Sequence, residues 1–136
     1  MSKHRVIPRI KSYMTTTPHT IGVDQTMARA HEVMREHRLR HLPVLQASRL
    51  VGILSDRDLH MVETLRDVDP RTVRVEEAMT QDVYTVTPDA PLDEVVKDMA
   101  THKYGSAVVV DRAHVVGVFT TVDACRAFAD MLTREA

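Results

Sequence analysis

The amino-acid sequence contains two copies of one unit, separated by 65 positions. "LVGILSDRDLH" aligns with "VVGVFTTVDAC", so that Gly52 matches Gly117. At the same offset the alignment extends back without a gap to Met14, which matches Met79. Chains with internal repeats fold as copies of one structural unit. Two copies of this length predict a pair of similar units related by a pseudo-twofold axis, and not a solenoid of many short repeats.

Each copy begins with the pattern of a strand followed by a helix. The β-rich run "VYTVT" opens the second copy, and "TIGV" is its weaker partner in the first. Apolar residues spaced i, i+3, i+4 and i+7 then indicate an amphipathic helix in each copy, Leu92, Val95, Val96 and Met99 matching Met27, Ala30, Val33 and Met34. We expect Asp24 and Asp89 to lie near the N-caps of these helices, with Pro91 in a first turn.

Two strands and a second helix complete each copy. The strands are "LPVL" and "LVGIL", then "AVVV" and "VVGVF", and they are joined by the polar stretches "QASR" and "DRAH". The second helices are expected over about residues 56–64 and 121–132. Strands that are apolar on both faces belong to sheets covered on both sides, and one unit of about 60 residues would be marginal alone.

The predicted fold class is therefore α/β (α+β in some schemes). It consists of two β-α-β-β-α repeats packed sheet to sheet with pseudo-twofold symmetry. The first repeat with an N-terminal arm is expected over residues 1–65. A linker and the second repeat are expected over residues 66–136.

Composition excludes several classes of protein. The 18 basic and 19 acidic residues give a formal charge of −1, so nothing indicates bulk binding to nucleic acid. No apolar run is long enough to span a membrane, and the basic N-terminus lacks the apolar region of a secretory signal. The single cysteine, Cys125, excludes an internal disulfide and a zinc site built on Cys pairs, and we expect it to be buried. The sequence predicts a cytoplasmic protein.

Two motifs at equivalent positions carry the candidate chemistry, Ser55-x-x-Asp58 and Thr120-x-x-Asp123. Each has the form of a helix capping box. Each would also suit a nucleotide, because a carboxylate can accept hydrogen bonds from two ribose hydroxyls, and free N–H groups at a helix start bind phosphate. The glycine before each motif leaves room for a ligand or a neighbouring backbone. Capping and ligand binding are compatible.

The whole pattern resembles a tandem pair of CBS domains, also called a Bateman module, over about residues 7–132. "YMTT" and "AMTQ" resemble the Met-Thr opening of that family, "RHLPVL" its strand signature, and "GILSDRDL" and "GVFTTVDA" its Gly-x-x-Ser/Thr-x-x-Asp ligand motif. The resemblance implies a regulatory module that binds an adenosine-containing ligand between its repeats. AMP, ADP and ATP are the typical ligands, and NAD-type dinucleotides and S-adenosylmethionine occur. It also implies a homodimer, no required cofactor, and a separate protein that is regulated.

The resemblance further implies which residues form the two clefts. One cleft would place Thr120 and Asp123 opposite Arg40 and His41. The other would place Ser55 and Asp58 opposite Gly105 and Ser106, with Lys103 nearby and Arg57 inside the motif. The adenine would lie near Val83 and Thr85, or near Pro18 and Thr20. Because a guanidinium grips phosphate well, the Thr120/Asp123 cleft is expected to be the better phosphate site.

Two alternatives differ from ligand sensing. The chain could be a dimeric interaction module with empty clefts, or a small hydrolase. The sequence contains no Gly-x-Ser-x-Gly elbow, Walker-type loop or His-Glu-x-x-His motif, so no enzyme is predicted. His37 and His41 are four residues apart, but no third ligand has fitting spacing, and no metal site is predicted.

Overall fold

The computed structural model describes residues 6–16 and 19–135, which form two compact units. Residues 19–83 form the first unit, and residues 6–16 with 84–135 form the second. In chain order, the elements are a 3₁₀ turn (Ile10–Ser12), β1 (Thr15–Thr16), β2 (Ile21–Gly22), α1 (Met27–His37), β3 (His41–Gln46), β4 (Arg49–Ser55), α2 (Asp56–Thr64), α3 (Val75–Ala78), β5 (Thr85–Val86), α4 (Leu92–His102), β6 (Ser106–Asp111), β7 (His114–Thr120) and α5 (Thr121–Glu135).

Both units have the predicted β-α-β-β-α order, so the α/β class and the duplication are confirmed. In the first unit, β3 pairs parallel with β2 and antiparallel with β4. In the second unit, β6 pairs in the same way with β5 and β7, and β1 adds a fourth strand on the outer side of β7. The opening strands β2 and β5 are only two residues long, shorter than the β-rich runs predicted. The packing of sheet against sheet stays a prediction.

The N-terminal segment belongs to the second unit. β1 pairs with the middle of β7, and the amide of Ile10 donates to the carbonyl of Ala90 at 3.0 Å. The equivalent segment of the other copy, which includes α3, lies in the first unit. There, Ile53 and Thr80 exchange two backbone hydrogen bonds of 2.9 Å. The compact units therefore do not follow the boundary between residues 1–65 and 66–136, because each copy's opening segment packs with the body of the other copy.

The two glycines of the repeat allow this packing. A Cβ on Gly117 would lie 2.6 Å from the Met14 Sδ and 2.9 Å from the Thr15 carbonyl oxygen. A Cβ on Gly52 would lie 2.5 Å from the Met79 Sδ and 3.0 Å from the carbonyl oxygen of Thr80. Neither glycine has a positive φ, so space and not backbone conformation requires it. The sequence left open whether a ligand or a neighbouring backbone approaches each glycine; beside both lie a methionine side chain and a backbone carbonyl of an opening segment.

The predicted apolar helix faces form the cores of the two units. In the first unit, α1 buries Met27, Ala30, Val33 and Met34 against β3 and β4. In the second, α4 buries Leu92, Val95 and Met99 against Ala107, Val109, Phe119 and Ile10. Val96, on the same helix, is only partly buried.

Asp24 and Asp89 lie two residues before the N-caps of α1 and α4, near the cap positions as expected, and the caps themselves are Thr26 and Pro91. The hydroxyl oxygen of Thr26 accepts from the Arg29 amide at 3.1 Å.

Two other local predictions were wrong. Pro91 is the N-cap of α4 and does not lie in its first turn. Cys125 is exposed, because it lies two positions from both Asp123 and Ala127, which face the core, and two positions are about 200° around a helix.

Candidate functional site

The first motif lies where β4 ends and α2 begins. Ser55 is the N-cap of α2, and its Oγ accepts from the Asp58 amide at 3.2 Å. In return, the Oδ2 of Asp58 accepts from the amide of Ser55 at 2.8 Å and from its hydroxyl at 3.0 Å. This reciprocal pair is a capping box, which satisfies backbone donors that an α-helix leaves free at its start. The capping interpretation is confirmed here.

The second motif repeats this geometry between β7 and α5. The Asp123 Oδ2 accepts from the amide of Thr120 at 2.9 Å and from its hydroxyl at 3.2 Å. The Asp123 Oδ1 accepts from Arg126 at 3.1 Å. Asp123 is 3% exposed and is a buried charged residue. A buried carboxylate is costly unless it is paired, and Arg126 pairs it from a side chain that is 61% exposed.

The two carboxylates therefore differ in whether an oxygen remains free to accept a hydrogen bond from a ligand. Within the part of the chain that the structure describes, the Oδ1 of Asp58 has no hydrogen-bond partner, and Asp58 is only half-buried. The Oδ1 of Asp123 is already used by Arg126. Sequence reasoning did not single out Arg126. The signal was its position three residues after Asp123, a spacing that brings two side chains together on a helix.

Arg40 and His41 lie beside the first motif within their own unit. His41 pairs with Ser55 across β3 and β4, and the amide of Asp56 donates to the carbonyl of Arg40 at 2.9 Å. The side chains of Arg40 and Arg57 are exposed. Two cations thus border the start of α2, where the N–H groups favour an anion.

His41 is the one titratable group of this region with a clear shift in pKa. Burial lowers the pKa of His41 below 6.5, and the opposing effect of Asp56 and Asp58 is smaller. Its Nδ1 is buried and has no partner among the residues that the structure describes. At neutral pH, His41 is therefore an uncharged imidazole with an unused ring nitrogen.

The low pKa of His41 predicts a loss of stability in mild acid. Folded His41 stays neutral, whereas the unfolded chain takes up a proton below about pH 6.5, so stability falls as the pH drops through that value. Urea unfolding at pH 7.5 and pH 5.5 should show a smaller acid-induced loss for His41→Gln than for the wild type. His60→Gln, at an exposed position on α2, is the control and should keep the loss of the wild type. An equal loss in all three proteins would contradict the prediction.

Ser106 has the equivalent place in the second unit. It pairs with Thr120 across β6 and β7, and it is half-buried. The structure thus brings Ser106 next to Thr120, and Arg40 and His41 next to Ser55. The crosswise grouping of Arg40 and His41 with Asp123, and of Ser106 with Asp58, stays a prediction.

The residues expected around adenine lie at the opening strands. Thr20 precedes β2 and Thr85 lies in β5; both are exposed, and Val83 is half-buried. Pro18 lies outside the described residues. Tyr84 is anchored to α4, since its hydroxyl donates to Asp98 at 3.0 Å. Burial, followed by this hydrogen bond, raises the pKa of Tyr84 to about 12.

Among the described residues there is neither a metal-binding cluster nor a membrane-spanning helix. In residues 6–16 and 19–135, no three His, Cys, Asp or Glu side chains are grouped so that they could hold a metal ion. His37 stacks on His19, with ring centroids 3.6 Å apart. No helix within these ranges has the length and apolarity needed to cross a membrane.

Comparison with known proteins gives consistent matches. The family model of the CBS domain matches twice, at residues 10–62 and 75–130. The CBS domain-containing protein YhcV of Bacillus subtilis is 30% identical over 114 residues, which cover 84% of this chain and 81% of YhcV.

Two solved structures of similar fold contain a bound small molecule or metal ion. The CBS domain pair of protein MJ0100, with 5′-methylthioadenosine and S-adenosyl-L-methionine, has a TM-score of 0.84 at 27% identity and covers 93% of this chain and 99% of that one. Hypoxic Response Protein I, with two coordinated zinc ions, has a TM-score of 0.75 at 27% identity and covers 88% and 98%.

Proposed function

The chain belongs to the CBS domain family as a tandem pair of these domains, and on that premise we propose that it is a regulatory module that binds an adenosine-containing ligand. AMP, ADP and ATP are the first candidates, and an NAD-type dinucleotide or S-adenosylmethionine is the next. The ligand would lie in clefts between the repeats, as the family resemblance implies. No cofactor is needed for this role, and no catalytic step is proposed.

The observation that carries this proposal is the unused oxygen of Asp58 at a capped helix start. The cap already orients the carboxylate through Oδ2, so Oδ1 is fixed in place without being consumed. An ionised carboxylate oxygen of this kind accepts hydrogen bonds from hydroxyl groups. The relative MJ0100 supports the adenosine part, because both of its ligands contain adenosine.

A phosphate at the 5′ position of the ligand's ribose would bind to basic side chains of the chain. We propose that Arg40 and His41 bind a phosphate in the cleft that contains Thr120 and Asp123, and that Thr85 and Val83 lie near its adenine. In the other cleft, Arg57 and Ser106 would bind the phosphate and Thr20 and Pro18 would lie near the base. The guanidinium of Arg40 and the neutral imidazole of His41 are both suitable donors.

Arg126 sets the condition for ligand binding at Asp123. For both ribose hydroxyls to reach that carboxylate, Arg126 must release Oδ1 or share it. The Arg126 side chain is 61% exposed but that of Asp123 is only 4% exposed, and a buried carboxylate is costly unless it is paired. The ribose hydroxyls must therefore take over the hydrogen bonding of Oδ1 as Arg126 leaves it, and the released guanidinium would add a positive charge near the ligand.

Regulation requires that the ligand bind one of two conformations more tightly than the other, because a ligand of equal affinity for both does not shift the equilibrium between them. We propose that the protein acts as a cytoplasmic homodimer and passes this shift to a separate protein. One observation favours the alternative of an interaction module without a nucleotide: the Asp123 carboxylate is already satisfied by Thr120 and Arg126 without any ligand.

Calorimetric titration separates the two functions. We expect at least one of AMP, ADP, ATP, NAD and S-adenosylmethionine to bind the wild type. Either Asp58→Asn or Asp123→Asn should then weaken binding by roughly 10- to 100-fold, since a hydrogen bond to a charged group contributes about 1.5–3 kcal/mol. Asp56→Asn is the matched control, because it removes the same charge from the first turn of α2 outside the motif. Thermal unfolding of each variant checks that it is folded.

Two results would contradict ligand sensing. One is the absence of binding by all five compounds at millimolar concentration. The other is binding that neither motif substitution weakens more than Asp56→Asn does. Formation of ADP or AMP from ATP would instead support the hydrolase alternative.

A further inference from the structure

The second unit contains a groove between α4, α5 and the start of the N-terminal segment. Its volume is about 510 Å³, a size that is typical of pockets for small organic molecules. Most of its wall is apolar and is formed by Val6, Ile7, Val96, Ala124, Phe128 and Met131. None of the described residues that line it belongs to the proposed nucleotide clefts. The groove is therefore a separate candidate site.

The groove exists because two residues of α5 are small. At the offset of 65, Ala124 and Ala127 correspond to Leu59 and Val62 of α2. Leu59 is 5% and Val62 is 8% exposed, so larger side chains occupy the equivalent space in the first unit. The shared fold therefore does not require the groove, which is a property of the second repeat.

A second difference between the repeats makes the groove apolar. In the first unit, the His31 Nδ1 of α1 lies 2.7 Å from the Glu63 Oε1 of α2. The equivalent residues of the second unit are Val96 and Phe128, and both line the groove. An ion pair between two helices is thus replaced by two apolar side chains, and Phe128 is left 62% exposed. A concave apolar surface of this kind is typical of a ligand site.

The start of α4 and the end of α5 lie close together beside the N-terminal segment, which contacts both. The amide of Leu92 donates to the carbonyl of Pro8 at 2.9 Å. The hydroxyl of Tyr13 donates to Asp130 of α5 at 3.0 Å. Pro8, Tyr13 and Leu92 all line the groove. Charged residues at these two helix ends can therefore act on one ligand.

The charged residues of the groove are Asp93, in the first turn of α4, and Arg134, in the last turn of α5. Both are exposed. Among the side chains that the structure describes, neither has an ion-pair partner, and the two do not pair with each other. An apolar groove with one unpaired cation and one unpaired anion suits a ligand that carries both charges and an apolar group.

We propose that this groove binds an apolar α-amino acid. Arg134 pairs with the carboxylate of the amino acid, since a guanidinium forms two parallel hydrogen bonds with that group. Asp93 pairs with its ammonium group, and its side chain lies against Val96 and Phe128. The space that Ala124 leaves open receives the end of that side chain. This ligand is independent of the proposed nucleotide, because the groove shares no residue with the nucleotide clefts.

The two charges of the groove decide between small molecules of similar shape. A carboxylic acid without an amino group would pair with Arg134, but it would also approach the like charge of Asp93. An amine without a carboxylate would pair with Asp93 and approach the like charge of Arg134. Like charges repel each other more strongly where water is partly excluded. A ligand with both charged groups satisfies both side chains at once.

Calorimetric titration of the full wild-type chain with matched compounds tests this assignment. L-Phenylalanine should bind with saturation at millimolar or lower concentration. Hydrocinnamate lacks the ammonium group and phenethylamine lacks the carboxylate, and each should bind roughly 10-fold more weakly. Glycine lacks the apolar side chain and should show no binding. L-Leucine and L-methionine extend the test to aliphatic side chains.

Ala124→Leu gives the groove the residue that the first repeat has at the same position. We expect it to weaken the binding of L-phenylalanine by roughly 100-fold, because the added side chain occupies the place of the ligand. Ala129→Leu is the matched control: Ala129 is exposed on α5 and does not line the groove, so this variant should bind like the wild type. Arg134→Gln should weaken binding by roughly 10-fold. Circular dichroism confirms that each variant is folded.

Three results would overturn the amino-acid site. The first is the absence of saturable binding by L-phenylalanine, L-leucine and L-methionine at millimolar concentration. The second is binding that hydrocinnamate matches or that Ala124→Leu leaves unchanged. The third is a change in the sedimentation of Ala124→Leu without binding of any amino acid, which would assign the groove to a contact between proteins. Nucleotide binding should be the same in Ala124→Leu and the wild type, so its failure bears on the nucleotide proposal alone.

Discussion

Gly117→Ala is expected to lower the free energy of unfolding by about 2 kcal/mol, within the range for an added methyl group in a well-packed site. The new Cβ would lie 2.6 Å from the Met14 Sδ and 2.9 Å from the Thr15 carbonyl oxygen. The methionine can rotate away, but the carbonyl is backbone, so β1 must move from its place beside β7. Urea unfolding of the purified chain measures the change.

Two companion variants identify the cause of this loss. Gly22→Ala is the control, because the nearest atom to its Cβ is the Asp24 carboxylate at 3.0 Å, the end of a flexible side chain. It should cost well under 1 kcal/mol. Met14→Ala combined with Gly117→Ala should recover only part of the stability, since the contact with Thr15 remains. A Gly117→Ala protein as stable as the Gly22→Ala protein would show that β1 does not need this close approach.

Ile10→Ala should cost still more, about 3 kcal/mol, as expected for a fully buried aliphatic side chain cut to Ala. Ile10 is 0% exposed and belongs to the core of α4, β6 and β7, although α4, the first of these in the chain, begins only at Leu92. Its amide is also held by the Ala90 carbonyl at 3.0 Å. An N-terminal change should therefore weaken the unit built mainly from the C-terminal half.

Hydrogen exchange locates this loss. In Ile10→Ala, amides of β6 and β7 should lose protection by a larger factor than amides of β3 and β4. Val6→Ala, at a side chain 88% exposed, is the control and should leave both sets unchanged. Greater loss of protection in β3 and β4 would mean that Ile10 does not support the unit to which the packing assigns it.

Much of the fold could be predicted because the same sequence pattern occurs twice in the chain. The helix face at Leu92, Val95 and Met99 has the same spacing as the one at Met27, Ala30 and Met34, and two agreeing copies remove the ambiguity of a single short pattern. The exchange of the opening segments could not be predicted. Ile10 and Val75 are both buried aliphatic residues at equivalent positions, so each would fit either body, and similarity does not reveal which one it packs on.

The site was predicted as far as local sequence decides it. Ser55 and Asp58 lie three residues apart and form the capping box that this spacing indicates. The difference between the two motifs depends on a neighbour outside the pattern, because Arg126 occupies one oxygen of Asp123 and the equivalent residue, Met61, has no charge to offer Asp58. The exposure of Cys125 was missed because average burial says nothing about which side of α5 it lies on.

The exchanged segments also constrain the order in which a newly made chain can fold. Residues 19–83 emerge from the ribosome in one stretch and contain a complete unit. Residues 6–16 emerge first, yet the β7 residues that pair with Thr15 and Thr16 follow about 100 positions later. At a rate of synthesis of roughly 5–20 residues per second, at least several seconds pass before the partner strand of β1 has been made. The segment of residues 6–16 is thus synthesised before the first unit and finds its partners after that unit is complete.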